Sequence, residues 1–284
     1  TSEEFAAKLN TCDLLITHGG TGVIVGALKL GKKVIAVPRL KKYGEHVADH
    51  QIQLIDQFRD LNLLEPCYST KDLPSALQNV QTKSYGRYVS NTSRILKTIE
   101  QFIGENPNSK AANMQNNIKI LMVMTSKFHR SGITMVLLNY RNELEKKKCQ
   151  IDFAVPKHSD ESLIRQTEKK GSRIFLLSKK MRVFLTPLYL YKLSTIVKRG
   201  NYDIVHVHGS SSLLYIELLA AKLGGAKIRI AHSHSTTTNH KILNKLLRKK
   251  FSNSYTTAFA CSKDAGEWLF NNKKFTIINN GINT

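Results

Sequence analysis

The stretch Thr17-His18-Gly19-Gly20-Thr21-Gly22 constrains this chain more than any other. It follows Cys12-Asp13-Leu14-Leu15-Ile16, which reads as a short buried strand, and it leads into the apolar helical run Val23 to Leu30. A strand that ends in glycines and turns straight into a helix lets backbone approach a ligand. It also presents the free N–H groups and positive dipole end of the helix, a combination that holds anions. The same residues equally make a plain strand-to-helix turn, because short glycine motifs recur widely. Gly31, Lys32 and Lys33 close the helix, Val34-Ile35-Ala36-Val37 supplies the next buried strand, and Pro38 stops it. Tyr43-Gly44-Glu45-His46 and Asp49-His50-Gln51 then bring polar residues to the same strand edge, where open α/β sheets bind ligands.

Around that core the first hundred residues read as a helix over Glu3 to Leu9, a helix from His50 to Phe58, and a short edge strand at Asn62-Leu63-Leu64. A capped helix starts at Thr70, and an amphipathic helix spans Tyr88 to Ile103. Residues 104–117 form a polar, Gly- and Pro-containing linker. Ile118-Lys119-Ile120-Leu121-Met122-Val123-Met124 follows Met114 like a fresh start, as if two once-separate reading frames had joined. The second half alternates strands (Lys119–Met124, Gln150–Val155, Arg173–Leu177, Ile204–Val207, Lys227–His232, Ala258–Cys261, Thr276–Ile278) with helices (Thr134–Lys147, Glu161–Lys170, Leu188–Arg199, Leu213–Lys222, Ile242–Phe251, Lys263–Phe270). Such alternation predicts a parallel sheet covered by helices. The expected organisation is therefore residues 1–103, a linker over 104–117, and a second domain over 118–284.

Charge separates the two halves. Residues 113–284 hold 29 of the 43 Lys and Arg but only 10 of the 21 Asp and Glu, which gives that half +19 of the formal +22. An anionic partner follows: nucleic acid, anionic lipid or a phosphate-bearing acceptor. Zinc-finger spacing, helix-turn-helix signals and aromatic RNA-binding motifs are missing, which argues against nucleic acid. Basic residues surround apolar ones in Lys179 to Tyr191 and in Lys241 to Phe251, a composition that suits an anionic membrane surface as well as a helix packed on a core. No run of 18 apolar residues occurs. Cys12, Cys67, Cys149 and Cys261 are widely spaced and read as ordinary thiols of a reducing compartment. The chain begins with Thr1, which suits a fragment.

Asp13 to Gly22, Pro38 to His46 and Asp49-His50-Gln51 together resemble the carboxyl-terminal domain of family 28 glycosyltransferases, above all the small subunits of exopolysaccharide and capsule galactosyltransferases, which are Alg13-like. The resemblance implies that Gly19, Gly20, Thr21 and Gly22 face the diphosphate of a UDP-sugar. It also implies that Glu45, His46, His50 and Gln51 line the nucleotide-sugar pocket. Gly26 stands where the MurG-like branch has a glutamate on the following helix. Small subunits of this kind work with a membrane-anchored, Alg14-like subunit.

Asn201 to Gly209, Ala231-His232-Ser233-His234-Ser235, Ala260-Cys261-Ser262-Lys263 and Asn279-Asn280-Gly281-Ile282 are similar to the amino-terminal domain of family 4 glycosyltransferases, with the motifs in the family's order. The family's donor domain with its paired glutamates does not follow. Lys127 to Gly132 holds one glycine where the family shows two.

The two resemblances imply a GT-B-like α/β protein of two Rossmann-like parallel-sheet units, the first truncated. They imply hexosyl transfer from a UDP-sugar to a polyprenyl-diphosphate-linked saccharide in capsule or exopolysaccharide assembly, at the cytoplasmic face of the cell membrane. The UDP-sugar is a substrate, and no cofactor or metal is implied. Transfer needs a base for the acceptor hydroxyl, and an imidazole titrates in the right range. His18 and His208 are the candidates. His18 is equally a loop residue bonded to backbone. His206, His208, His232 and His234 are open to three readings: acceptor-side residues, packed core histidines, or a zinc site, the last without a Cys or carboxylate at ligand spacing. The rival to an enzyme is a non-catalytic fusion that keeps the folds as a nucleotide-sugar-binding or partner module.

Overall fold

The computed structural model describes residues 2–40, 43–45, 50–88, 118–146, 148–178, 182, 186–238, 241–271 and 273–278. The expected helix beyond Tyr88, the linker over 104–117, His46 and the Asn279 to Ile282 motif lie outside them. The chain forms two compact units, one within residues 1–90 and one within 91–281. Both are parallel α/β units, as the alternation of elements predicts.

In the first unit the elements are α1 (Ser2–Thr11), β1 (Leu14–His18), α2 (Thr21–Lys29), β2 (Lys33–Val37), α3 (His50–Asp60), β3 (Glu65–Pro66), a 3-10 turn (Thr70–Asp72) and α4 (Leu73–Thr82). The strands form a three-stranded parallel sheet in the order β1-β2-β3, with Ile16 beside Ile35 and Ile35 beside Glu65. Val34, Ile35 and Ala36 of β2 are fully buried, as befits a central strand covered on both faces. The edge strand expected at 62–64 lies instead at Glu65–Pro66. Residues 62 and 63 finish α3: Asn62 takes a left-handed conformation (φ 54°), and the amides of Asn62 and Leu63 bond back to Arg59 O (2.8 Å) and Phe58 O (2.9 Å).

The second unit contains β4 (Lys119–Met124), α5 (Gly132–Glu145), β5 (Gln150–Pro156), α6 (Glu161–Lys169), β6 (Ile174–Leu177), α7 (Thr186–Gly200), β7 (Ile204–Gly209), a 3-10 turn (Ser212–Leu214), α8 (Tyr215–Leu223), β8 (Ile228–Ser233), α9 (Lys241–Ser252), β9 (Thr257–Ala260), α10 (Lys263–Phe270) and β10 (Thr276–Ile277). Its seven strands are all parallel, in the order β10-β9-β8-β7-β4-β5-β6. From β4 the chain builds outward to β6, returns to the other side of β4 with β7, and builds outward again to β10. The switch point of this doubly wound sheet falls between β4 and β7, and the crevice beyond its strand ends is where such folds take ligands.

Hydrophobic pattern explains the arrangement. Ile120 to Met124 is an unbroken apolar run, and all five side chains are buried, which only an inner strand covered by helices on both faces can achieve. Leu193 and Val197 of α7, Leu218 and Ala221 of α8, and Val205 and Val207 of β7 join in one core. Asp152 is buried on β5 and paired, accepting from Arg173 Nη2 (2.7 Å), the Arg173 amide (2.7 Å) and the Tyr202 hydroxyl (2.6 Å). A buried carboxylate so bonded costs far less than an unpaired one.

Candidate functional site

The glycine turn of the first unit sits where β1 runs into α2. Gly20 caps the helix in an extended conformation (φ −81°, ψ 112°) and offers no side chain, so no side-chain cap occupies the first-turn amides. Gly22 is exposed, and a Cβ built there would meet nothing within 4 Å. This half of the turn has the bare helix start that an anion requires.

The other half is occupied by the chain itself. Gln51, on α3, is nearly buried, and its Oε1 accepts from the Gly19 amide (3.2 Å) and the Arg39 amide (2.8 Å). A Cβ on Gly19 would lie 2.7 Å from Gln51 Cβ, so the glycine is required by this close approach. The Gly20 amide turns back onto His18 O (2.6 Å). The expectation that residues 19–22 present their amides together therefore narrows to Thr21 and Gly22, and Gln51 is a clamp across the turn. The His18 ring folds over Gly20, with Nε2 2.9 Å from where a Cβ would stand. Glu45 is exposed and its Oε2 accepts from the Leu40 amide (3.1 Å), which shapes the loop after β2. His50 begins α3.

In the second unit the register of two strands creates a cluster that spacing alone left open. Side chains two apart on a strand share a face, so β7 presents His206 and His208 together. His208 lies opposite His232 of β8, and His234 follows two residues on. His206 Nε2 lies 3.1 Å from His232 Nδ1, and His208 Nδ1 lies 2.9 Å from His234 Nε2. Ring centroids stand 4.0 Å apart for His206 and His208 and 4.2 Å apart for His232 and His234. Phe259 of β9 packs edge-on against His206 and His232 and seals the inner end. Thr125, just past β4, donates its amide and hydroxyl to His208 O, which ties the cluster to the switch point.

Burial governs the charge of this group. His206 is pushed down to about 3, by desolvation first and by His234 second. His208 and His232 are held well below the ordinary 6.5, again by desolvation first and then by neighbouring imidazoles. These rings are neutral near pH 7. His208 is only 2% exposed, while His234 is half-buried and outermost. Sequence spacing predicted two pairs of histidines at strand ends. It could not predict that the two strands are neighbours with the pairs in one register.

Among the described residues no helix is long and apolar enough to cross a membrane. α9 nevertheless turns apolar residues outward: Ile242 is 78% exposed and Leu246 69% exposed, while Asn244 and Phe251 are its buried residues. Asn244 is drawn inward because its Oδ1 accepts from the Ser212 amide (2.7 Å).

Comparison with known proteins gives two family matches, one towards each end of the chain. Residues 130–284 match the model of glycosyltransferase family 4, and residues 2–104 match that of the glycosyltransferase family 28 C-terminal domain. A candidate glycosyltransferase of Bacillus subtilis (strain 168), EpsF, is 26% identical over 163 residues, which cover 55% of this chain and 42% of EpsF. Among solved structures, the MurG protein of Acinetobacter baumannii is similar at 13% identity and a TM-score of 0.42, over 59% of this chain and 46% of that one. A UDP-N-acetylglucosamine 2-epimerase is similar at 18% identity and a TM-score of 0.43, over 56% and 46%. The chain thus spans less than half the length of each of these relatives.

Proposed function

Because this chain belongs to glycosyltransferase family 4, we propose that it takes part in glycosyl transfer from a nucleotide-sugar donor to a lipid-linked saccharide. In this reading the first unit binds the donor, a UDP-hexose, through the open helix start at Thr21 and Gly22. The second unit takes the polyprenyl-diphosphate-linked acceptor, and the product enters an exopolysaccharide or capsule. The observation that carries the donor half is the uncapped first turn of α2, which follows directly from β1 and leaves Gly22 exposed. Backbone amides there would neutralise the leaving diphosphate, so the transfer itself needs no metal.

For the acceptor half, the histidine end of β7 and β8 lies beside the switch point of the sheet. His208, relayed to the outermost imidazole His234 across 2.9 Å, is a base that stays neutral until it takes the acceptor proton. A low proton affinity weakens it as a base, so His18 is kept as the second candidate. The basic second half and the outward apolar residues of α9 support a peripheral position at the inner face of the cell membrane, with an Alg14-like subunit as the partner.

The test is calorimetric titration of the full chain with UDP and UDP-hexoses, alone and with an Alg14-like partner, followed by sugar release. Gly22→Glu fits the open space at that position and sets a carboxylate where the diphosphate would lie. Weaker UDP binding in the folded variant supports the reading, and unchanged binding removes it. Binding without turnover would favour the binding-module alternative.

A further inference from the structure

We propose that the histidine cluster of the second unit is a binding site for a late divalent transition metal, zinc above all. His206, His208 and His232 are its ligands, and β7 and β8 are the strands it joins.

Three observations carry this. First, one nitrogen from each of these three rings lies within 4.8 Å of the others. Zinc–imidazole bonds of about 2.0–2.1 Å at a tetrahedral angle set two ligand nitrogens roughly 3.3 Å apart. His206 Nε2 and His232 Nδ1 already stand at 3.1 Å, so opening by a few tenths of an ångström admits the ion. Second, His208 Nε2 is buried and has no hydrogen-bond partner. Buried polar atoms are ordinarily satisfied, so an unpaired nitrogen inside a shared imidazole cluster points to a ligand that supplies the missing partner. Third, the rings are fixed from behind. Phe259 packs against His206 and His232, and Thr125 holds the His208 backbone, so the donors are preorganised. The sequence sets no cysteine or carboxylate at ligand spacing to these histidines, but imidazole alone suits zinc, copper and nickel. The half-buried His234 stands beside the ligands with its ring centroid 4.2 Å from that of His232.

The ion would clasp β7 to β8 beside the switch point. It would also withdraw the lone pair of His208, so zinc inhibits any step that uses His208 as a base. The inhibition rests on the transfer reading above, whereas binding does not.

The experiment titrates the chelator-treated full chain with Zn2+ by calorimetry and with Co2+ by visible absorption, in the wild type and in His206→Gln and His232→Gln. The expected result is one tight site, a tetrahedral Co2+ spectrum without a thiolate charge-transfer band, and loss of affinity in each variant beyond the roughly 10–100-fold that outer-shell changes cost. Circular dichroism establishes that the variants fold. Equal affinity in folded variants places the ion elsewhere and overturns the proposal. Where a variant fails to fold, the wild-type Co2+ spectrum decides: no tetrahedral band, or a sulfur band, also overturns it.

Discussion

Gln51 Oε1 accepts a hydrogen bond from the Gly19 amide at 3.2 Å, across 32 residues of sequence, and the same oxygen accepts from the Arg39 amide at 2.8 Å. One side-chain oxygen therefore holds the ends of β1 and β2 to the start of α3. Gln51→Leu leaves two backbone donors unpaired, at a cost of about 1–3 kcal/mol each if water does not reach them. Urea unfolding should show the loss as a lower midpoint with an unchanged slope. Gln51→Glu keeps the acceptor, so its stability near neutral pH should stay close to wild type. Its added negative charge beside the glycine turn should weaken UDP binding.

Glu65 of β3 supplies a pH dependence whose sign can be worked out. Its burial disfavours the ionised form, but hydrogen bonds from Tyr85 (2.7 Å), Asn79 (2.7 Å) and Lys83 outweigh that, and the carboxyl is held below its ordinary 4.5. A group whose value is lower folded than unfolded contributes stability that is fully present above about 4.5 and is lost as pH falls through the folded-state value. Thermal unfolding between pH 6 and 3 should show this loss. Glu65→Gln should flatten that part of the profile, and Tyr85→Phe should shift it towards higher pH. A wild-type profile unchanged by Glu65→Gln would disprove the assignment.

Much of the fold was legible, and what was missed has a common cause. Runs such as Ile120 to Met124 announce buried strands because burial on both faces leaves no room for polar residues. Sheet order is not local: nothing in Asn201 to Gly209 says that β7 returns beside β4. The neighbourhood of His208 and His232 was therefore hidden even though both histidines were singled out. The edge strand expected at 62–64 failed because Asn62 entered a left-handed turn that closes α3. In α9 the composition suited a membrane surface and a core-packed helix alike, and the structure turns Ile242 and Leu246 outward while Asn244 faces inward because Ser212 offers it an amide. The glycine turn was found from sequence, but the hydrogen bond that occupies Gly19 depends on Gln51, a residue whose conformation no spacing rule specifies.

Arg182 and Glu217 form a buried, two-pronged ion pair: Nε to Oε1 at 2.5 Å and Nη2 to Oε2 at 3.0 Å, with Glu217 wholly inaccessible. Arg182 Nη2 also donates to Leu213 O (3.1 Å). Removing one partner strands a charge in the core, which costs about 3–5 kcal/mol. Arg182→Met should accordingly destabilise strongly. The double variant Arg182→Met with Glu217→Leu removes both charges and should recover most of the loss, since replacing both partners by apolar groups of similar volume is often near neutral. A double-mutant cycle by chemical denaturation measures the coupling, and additive single effects would rule the pair out as a unit.

The outward face of α9 makes the most direct prediction about location. Ile242, Leu243 and Leu246 are exposed on a helix that also carries exposed Lys241, Lys245, Lys249 and Lys250. Residues 242 and 246 are four apart and so share a face. On α7, Leu188 is 50% exposed and Tyr191 69% exposed. Burying one such side chain in a lipid interface yields about 1.5–3 kcal/mol, and each lysine near an anionic surface adds about 1 kcal/mol, screened by salt. The chain should therefore co-sediment with vesicles rich in phosphatidylglycerol more than with phosphatidylcholine vesicles, and less as salt rises. Ile242→Ser with Leu246→Ser removes no core contact, so thermal stability should hold while vesicle affinity falls roughly tenfold or more, the equivalent of at least about 1.4 kcal/mol. If the variant binds as well as wild type, or if lipid charge and salt make no difference, this face is not the one that meets a membrane.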